Sequence, residues 1–233
     1  MRKTITMIVP TYNGSKYLVN QIESIVYQLH SCDRIVCQDD SSTDNTVEVL
    51  ARLQSKYAML SYSSNNLNLG PNRTIWELME KIETDLFVFC DQDDIWLPNR
   101  LDVVRKCEAG VLSVVGYQPF SEDNKTFKPI LSSPSSLIRS IFFPSVPGCT
   151  IGGCTDTARK LYPSWTIKTL YDNFIIVNAI LKGVRIICDE EVKVLYRRHG
   201  GNVTSMGFAP NGIFQALKRR VDLIMEICRE IFK

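Results

Sequence analysis

Asp91, Asp93 and Asp94 put three carboxylates into four residues, immediately after the apolar run Leu86-Phe87-Val88-Phe89-Cys90. Like charges at that spacing repel, raise one another's pKa and cost folding energy unless a cation sits among them. Oxygen-only ligands suit a hard ion, Mg²⁺ or Mn²⁺, and such ions in enzymes commonly hold phosphates. The plainer alternative is a solvated acidic turn ahead of a helix begun by Pro98. A second acidic cluster, Asp39-Asp40-Ser41-Ser42-Thr43-Asp44, follows another short apolar run, Arg34-Ile35-Val36-Cys37-Gln38. Helix capping accounts for Ser42 or Thr43 but not for two adjacent carboxylates. In open α/β sheets, ligands bind beyond the carboxyl ends of strands, so two acidic strand ends would line one crevice.

The elements that must position these groups alternate. Ile5 to Val9 reads as a strand, broken by Pro10 and the Asn13-Gly14 turn. Ser15 is placed to cap a helix carrying the stripe Leu18, Ile22, Ile25, Val26 and Leu29. A strand over 35–38, a helix from about Thr43, a strand over 59–62 and a helix over 74–82 follow. The Leu86 strand, a helix over 98–107 and a strand over 111–116 close the series. This rhythm predicts βαβ units and a mostly parallel sheet. From about Tyr117, repeated prolines and serines predict loops and short elements instead. That half holds Gly152-Gly153-Cys154-Thr155, a helix from Tyr171 to Lys182 ended by Gly183, and a strand from Val184 to Cys188. The C-terminal stretch predicts an amphipathic helix, with Phe214, Leu217, Val221, Ile224, Cys228 and Ile231 on its apolar face. Lys218, Arg219 and Arg220 flank that face, which either packs on its own domain or meets a membrane or partner.

Composition narrows the functional classes. With 233 residues, 45% of them hydrophobic, the chain can bury a substantial core as one large domain or two fused lobes. A net charge of +2 gives no basic field, so nucleic-acid binding has no compositional support. None of the eight cysteines forms a Cys-x-x-Cys pair, which favours buried thiols in a reducing cytosol. The apolar run after Met1-Arg2-Lys3 is too short for a signal peptide, and no stretch approaches the roughly 20 apolar residues of a membrane span. A soluble, cytoplasmic protein is expected.

Taken in order, Ile8-Val9-Pro10-Thr11-Tyr12-Asn13-Gly14, Asp39 to Thr46 and Asp91-Gln92-Asp93-Asp94-Ile95-Trp96 resemble the family 2 glycosyltransferases. These are inverting enzymes of the GT-A fold that use nucleotide sugars. Gly153-Cys154-Thr155, Tyr171-Asp172-Asn173 and Tyr196-Arg197-Arg198-His199-Gly200-Gly201-Asn202-Val203 are similar to the bacterial rhamnosyltransferase-like branch. The resemblance implies an α/β, Rossmann-like GT-A domain with a central, mostly parallel sheet. Residues 1–118 would form its nucleotide-sugar half, 119–205 its acceptor-binding and catalytic half, and 206–233 the terminal amphipathic helix.

The resemblance also implies roles. Pro10, Thr11 and Tyr12 line the nucleotide pocket. Asp40, with Asp39 beside it, accepts a hydrogen bond from the imide N–H of uracil or thymine. Asn68, Gly70 and Arg73 lie in a loop over base and ribose. Asp93 coordinates Mn²⁺ or Mg²⁺ on the donor diphosphate, Asp91 contacts the ribose or a metal-bound water, and Asp94 orients the donor sugar. His199 touches the diphosphate or the metal, with Arg197 and Arg198 as assisting cations. Inversion needs a base opposite the leaving group; Asp172 is the first choice and Asp156 the second. The implied reaction moves a sugar, rhamnose by analogy, from a dTDP- or UDP-sugar to a hydroxyl of a growing, lipid-linked, cell-surface polysaccharide. The terminal helix could dock the enzyme peripherally at the inner membrane face.

Other classes fit less well. A receiver-like phosphotransfer domain is a much shorter unit and needs a Lys late in its sheet. A haloacid-dehalogenase-type phosphatase wants Asp-x-Asp after the first strand, whereas here it follows a later one. A sugar-nucleotide-binding scaffold that kept the fold without turnover is the remaining alternative, and donor turnover separates it from an enzyme.

Overall fold

The computed structural model of the protein describes residues 2–134, 136–162, 168–200 and 212–231, and the side chains of all of these except 212–216, 230 and 231. Its first half runs β1 (Ile5–Thr11), α1 (Leu18–Val26), β2 (Arg34–Asp39), α2 (Thr46–Lys56), β3 (Leu60–Ser64), α3 (Pro71–Lys81) and β4 (Leu86–Phe89). Then come β5 (Ile95–Trp96), α4 (Asp102–Arg105), β6 (Val111–Ser121), α5 (Leu137–Phe142), β7 (Ile151–Cys154) and α6 (Thr155–Leu161). The chain continues through α7 (Tyr171–Leu181) and β8 (Arg185–Arg198) to α8 (Gly212–Ile231).

All eight strands share one sheet in the order β3-β2-β1-β4-β7-β6-β8-β5. The first four pair parallel, as βαβ units require. β7 runs antiparallel between β4 and β6, β8 pairs parallel with β6, and β5 pairs antiparallel with β8. The sheet is buried on both faces, so its central strands are apolar on both sides. Along β1, Met7 and Val9 join one core layer with Ile22, Ile25 and Leu50, while Ile8 joins the other with Ile75, Leu78 and Phe174. The Leu86/Val88 and Phe87/Phe89 pairs of β4 divide in the same way.

Several elements differ from the sequence reading. Gly152-Gly153, which carry no strand pattern, form the centre of β7, where a Cβ on Gly153 would meet the Leu112 Cα at 2.8 Å. The 98–107 helix shrinks to α4, because Asn99 takes a left-handed φ of 63° and Arg100 is drawn fully inside. β6 continues to Ser121 and β8 to Arg198, paired through register shifts near Gly116. Ser15 does not cap α1; its Oγ donates to Asp44 Oδ2 at 2.7 Å. Neither Ser42 nor Thr43 caps α2, whose first-turn amide Thr46 N donates to Asp44 Oδ1 at 3.0 Å.

The terminal helix forms and lies against α5 and α7, on a face other than its main apolar stripe. Leu223 and Ile227 are its buried contacts, and the Glu226 carboxylate accepts from the Lys168 and Thr169 amides. The apolar stripe read from the sequence points out: Leu217 is 58% and Val221 51% exposed, with Ile224 beside them. At about 100° per residue, the two stripes lie roughly 120° apart around the helix. The side chains of Phe214 and Ile231 lie outside the described set, as do residues Gly201, Asn202 and Val203.

Candidate active site

A cavity of about 380 Å³ opens where β1, β2 and β4 end. Pro10, Thr11 and Tyr12 at the exit of β1, Asp40 after β2, and Asp91 and Asp93 after β4 line it. Parallel pairing of β1 with β2 and β4 brings these exits together. Gln92 locks two of them: its Oε1 accepts from Tyr12 N and its Nε2 donates to Tyr12 O, both at 2.9 Å. A Cβ on Gly14 would lie 2.0 Å from that Oε1, so glycine there leaves room for the clamp.

Asp40 organises the neighbouring loop. Its Oδ1 accepts from Asn65 Nδ2 and Leu69 N, and its Oδ2 from Gly70 N, each at 2.8 Å. Those bonds fix Gly70 at φ 79° in front of Pro71, the first residue of α3, and hold Asn68 and Gly70 against the cavity. Asp39 does not line it. Its carboxylate accepts from Thr11 Oγ1 at 3.1 Å and from Ser42 N at 2.9 Å, tying the end of β1 to the acidic turn. Arg73 also stands outside the lining, with its Nε donating to Glu77 at 2.9 Å.

The acidic turn after β4 is gripped from β8. Asp93 Oδ2 and His199 Nε2 share a 2.6 Å hydrogen bond, and the His199 ring lies 4.9 Å from that of Tyr17. Asp94 is fully buried and does not line the cavity; its Oδ1 accepts from Arg197 N at 2.9 Å. The Arg197 guanidinium donates to Asp93 O at 2.7 Å and lies over the Tyr17 and Phe120 rings. Arg198 packs over Phe127 instead, away from the cavity. His199 therefore reaches the site through Asp93.

The electrostatics of this turn favour a cation. Burial, then the neighbouring charges of Asp93 and Asp172, raise the Asp91 carboxyl above its ordinary range. Burial and the charges of Asp91 and Asp93 push Asp94 well above it. Asp94 Oδ2 is buried with no hydrogen-bond partner among the described residues. Ligand atoms of Asp91, Asp94 and Cys149 lie within 4.8 Å of one another. The Cys149 thiol is pushed well above its usual range by burial and stays protonated, so the oxygens form the useful donor set. Crowded carboxylates with an orphaned oxygen fit a hard divalent ion.

Gly148, Tyr171, Asp172 and Tyr196 line the same cavity. Asp172 sits in the first turn of α7, its Oδ2 accepting from Gly148 N at 3.2 Å and its Oδ1 from Asn173 N at 2.7 Å. Burial raises its carboxyl to about 6. A second groove, of about 250 Å³, shares Pro147, Leu170, Asp172 and Tyr196 with the first. Asp172 thus stands where two spaces meet. Asp156 lines neither; its side chain is 80% exposed and pairs with Arg159. Asn72 fixes the start of α7, its Oδ1 accepting from Tyr171 N at 3.0 Å and its Nδ2 donating to Thr169 O at 2.7 Å.

Pro10, Thr11, Tyr12, Asp40, Asn68, Gly70, Asp91, Asp93 and Asp172 therefore converge on one cavity. Gln92, Asn72 and Gly148 support it without having been singled out by the sequence. Gln92 was visible only as a spacer within the acidic motif; Asn72 and Gly148 carried no local signal.

Comparison with known proteins agrees with this geometry. Residues 6–167 match the family described as Glycosyl transferase family 2. The chain belongs to this family. It is a glycosyltransferase, and its fold is the expected α/β GT-A arrangement. The dTDP-rhamnosyl transferase RfbG of Shigella flexneri is 26% identical over 92% of this chain and 78% of its own length. A GalNAc(5)-diNAcBac-PP-undecaprenol beta-1,3-glucosyltransferase of Campylobacter jejuni is 31% identical over 48% of the chain, but only 37% of that protein. The mannosyltransferase PcManGT of Pyrobaculum calidifontis, solved with GDP-Man and Mn²⁺, superposes with a TM-score of 0.68 at 16% identity. That match covers 98% of this chain and 65% of the archaeal one, so the chain is shorter than some proteins it matches.

Proposed function

We propose that this glycosyltransferase moves a sugar with inversion from a dTDP- or UDP-sugar to a hydroxyl of a lipid-linked saccharide. The observation that carries the reading is the position of Asp172, at the junction of two spaces and in the same cavity as Asp91 and Asp93. One space takes the donor and the other the acceptor. The name of RfbG supports dTDP-rhamnose as donor, and the name of the Campylobacter enzyme supports an acceptor on a polyprenyl diphosphate.

The nucleotide lies along Pro10, Thr11 and Tyr12, under the loop that Asp40 holds. A carboxylate offers about four lone-pair sites. Three on Asp40 are engaged by Asn65, Leu69 and Gly70, and the remaining one accepts the imide N–H of uracil or thymine. Asn68 and Gly70 cover base and ribose, while Asp39 keeps the turn in place. Asp91 and Asp93, which line the cavity, would hold Mn²⁺ or Mg²⁺, with His199 fixing the Asp93 carboxylate and the buried Asp94 offering a further oxygen close to that of Asp91. When bound, that cation supplies stabilisation of the charge growing on the departing nucleoside diphosphate, worth several kcal/mol. Asp172 takes the acceptor hydroxyl's proton as its oxygen attacks carbon 1 from the face opposite the leaving group. A carboxyl raised to about 6 is ionised at pH 7, yet a stronger base than an exposed one.

No described helix is long and apolar enough to cross a membrane. The outward apolar stripe of α8 suits peripheral contact with the inner membrane face. The test is nucleoside diphosphate release from a panel of dTDP-, UDP- and GDP-sugars with Mn²⁺ or Mg²⁺. Asp93→Ala should abolish release and weaken metal-dependent binding of the diphosphate. Undiminished metal-dependent affinity in that variant would remove Asp93 from the metal site. Nucleotide binding without release from any donor would favour a binding protein.

A further inference from the structure

The groove that shares Asp172 with the cavity is also lined by two adjacent cations of α8, Arg219 and Arg220. Arg220 is half-buried and donates from Nε to Phe142 O at 3.4 Å, while Arg219 is exposed. Among the described residues, no carboxylate forms an ion pair with either. Burial and the Arg219 charge both lower the Arg220 pKa, so the two guanidiniums oppose each other as they stand. An anion between them relieves that repulsion. Guanidinium forks match phosphate oxygens two at a time, and neighbouring forks suit a diphosphate better than a lone carboxylate.

Beside these cations the surface is apolar. On α5 and just past its end, Ile138 and Phe143 are more than 70% exposed, and Phe142 partly so. α5 lies against α8, whose Leu217, Val221 and Ile224 also face outward. Lys218 and Arg220 border that stripe on its two sides. An apolar stripe edged by cations is the pattern of a helix lying in a membrane interface.

We propose that Arg219 and Arg220 form the phosphate subsite of the acceptor. They hold the diphosphate joining the acceptor saccharide to its lipid, while the α5–α8 surface rests on the bilayer carrying that lipid. The inference rests on the transfer reading above, which puts the acceptor hydroxyl at Asp172 in the same groove. Sugar and diphosphate then match the carboxylate and the two guanidiniums that line it.

The test is flotation of the full chain with phosphatidylcholine vesicles, plain or doped with a polyprenyl diphosphate, without donor or added metal. Wild type should prefer doped vesicles by about tenfold, the order expected of one or two charged hydrogen bonds. The double variant Arg219→Gln, Arg220→Gln should lose the preference. Val221→Asp and Phe143→Asp, both at exposed positions, should weaken binding to doped and plain vesicles alike without lowering the melting temperature. Inorganic diphosphate should displace the preference but leave binding to plain vesicles. Full preference in the double arginine variant overturns the subsite, and unchanged vesicle binding in both aspartate variants overturns the bilayer contact. So does a wild-type dimer that ignores vesicles and becomes monomeric on Val221→Asp, since a second copy would then cover the face. Because the assay needs no turnover, Asp172→Asn should keep the preference, so transfer and acceptor anchoring can fail separately.

Discussion

Replacing Asp172 with Asn removes the oxygen that accepts the proton and leaves a side chain of nearly the same shape. Burial raises the Asp172 carboxyl from its ordinary 3.8 to about 6. At about 1.36 kcal/mol per unit, ionising it in the folded protein costs up to about 3 kcal/mol relative to the unfolded chain. Between those two values the native state binds the extra proton, so this group's contribution to stability falls as pH rises and levels above about 6. Asn has no charge to bury. It forfeits part of the charged hydrogen bonding to Gly148 N and Asn173 N, worth about 1–2 kcal/mol. The variant should therefore be more stable than wild type by about 1–2 kcal/mol at pH 8, and lose that advantage near pH 4. Turnover should move the other way, falling roughly 10²- to 10⁴-fold for loss of a general base. Wild-type kcat/KM, which reports the free enzyme, should rise through about pH 6, and the residual rate of the variant should lack that rise. Nucleoside diphosphate release across pH 5–9, beside urea denaturation at both ends, measures both quantities. Near wild-type turnover in the variant would refute the assignment of the base.

Asp40→Ala strands three donors, each costing about 1–3 kcal/mol if it stays buried. The melting temperature should drop, and calorimetry should show weaker binding of the bare nucleoside as well as the diphosphate; unchanged nucleoside affinity would exclude Asp40 from base recognition. Gly148→Ala puts a Cβ 1.9 Å from the buried Tyr171 Oη, so the turn donating to Asp172 must move. Transfer should fall at least about tenfold while nucleotide affinity, set by Asp40 and the loop it holds, falls less; equal loss of both would mean general unfolding. Leu223→Ala empties a fully buried position under α8 and should cost about 2–5 kcal/mol, read by urea denaturation.

The parallel half of the fold was legible because its signals are local. β1, β2 and β4 are short strands whose site residues fall between the last two positions of the strand and two residues past its end. Knowing that strands are parallel is enough to bring Thr11, Asp40 and Asp91 to one edge. β7 was hidden by what makes it possible: Gly152 and Gly153 erase the strand pattern, yet a side chain there would meet Phe87 O and the Leu112 backbone. The far end of β8 was hidden by Asp189, Glu190 and Glu191, where its charged, irregular path gives no alternation to read. The supporting residues are illegible for a different reason. Gln92 acts on Tyr12 across 80 positions, and Asn72 on Tyr171 across 99, so no local spacing encodes either contact.

The terminal helix shows where periodicity stops being informative. A stripe repeating every three or four residues establishes that a face is apolar, but not what lies against it. In α8 the facing was decided elsewhere: the fold offers a buried slot that Leu223 and Ile227 fill, and two amides that only the Glu226 carboxylate on that side can satisfy. Turning the helix to bury Leu217 and Val221 would draw Leu223 and Ile227 out and strand those amides. The packing therefore selects the narrower stripe and leaves the broader one outward, beside Arg220 of the groove that Asp172 also lines. An apolar face exposed there by the fold's own demands is a surface for something else to cover.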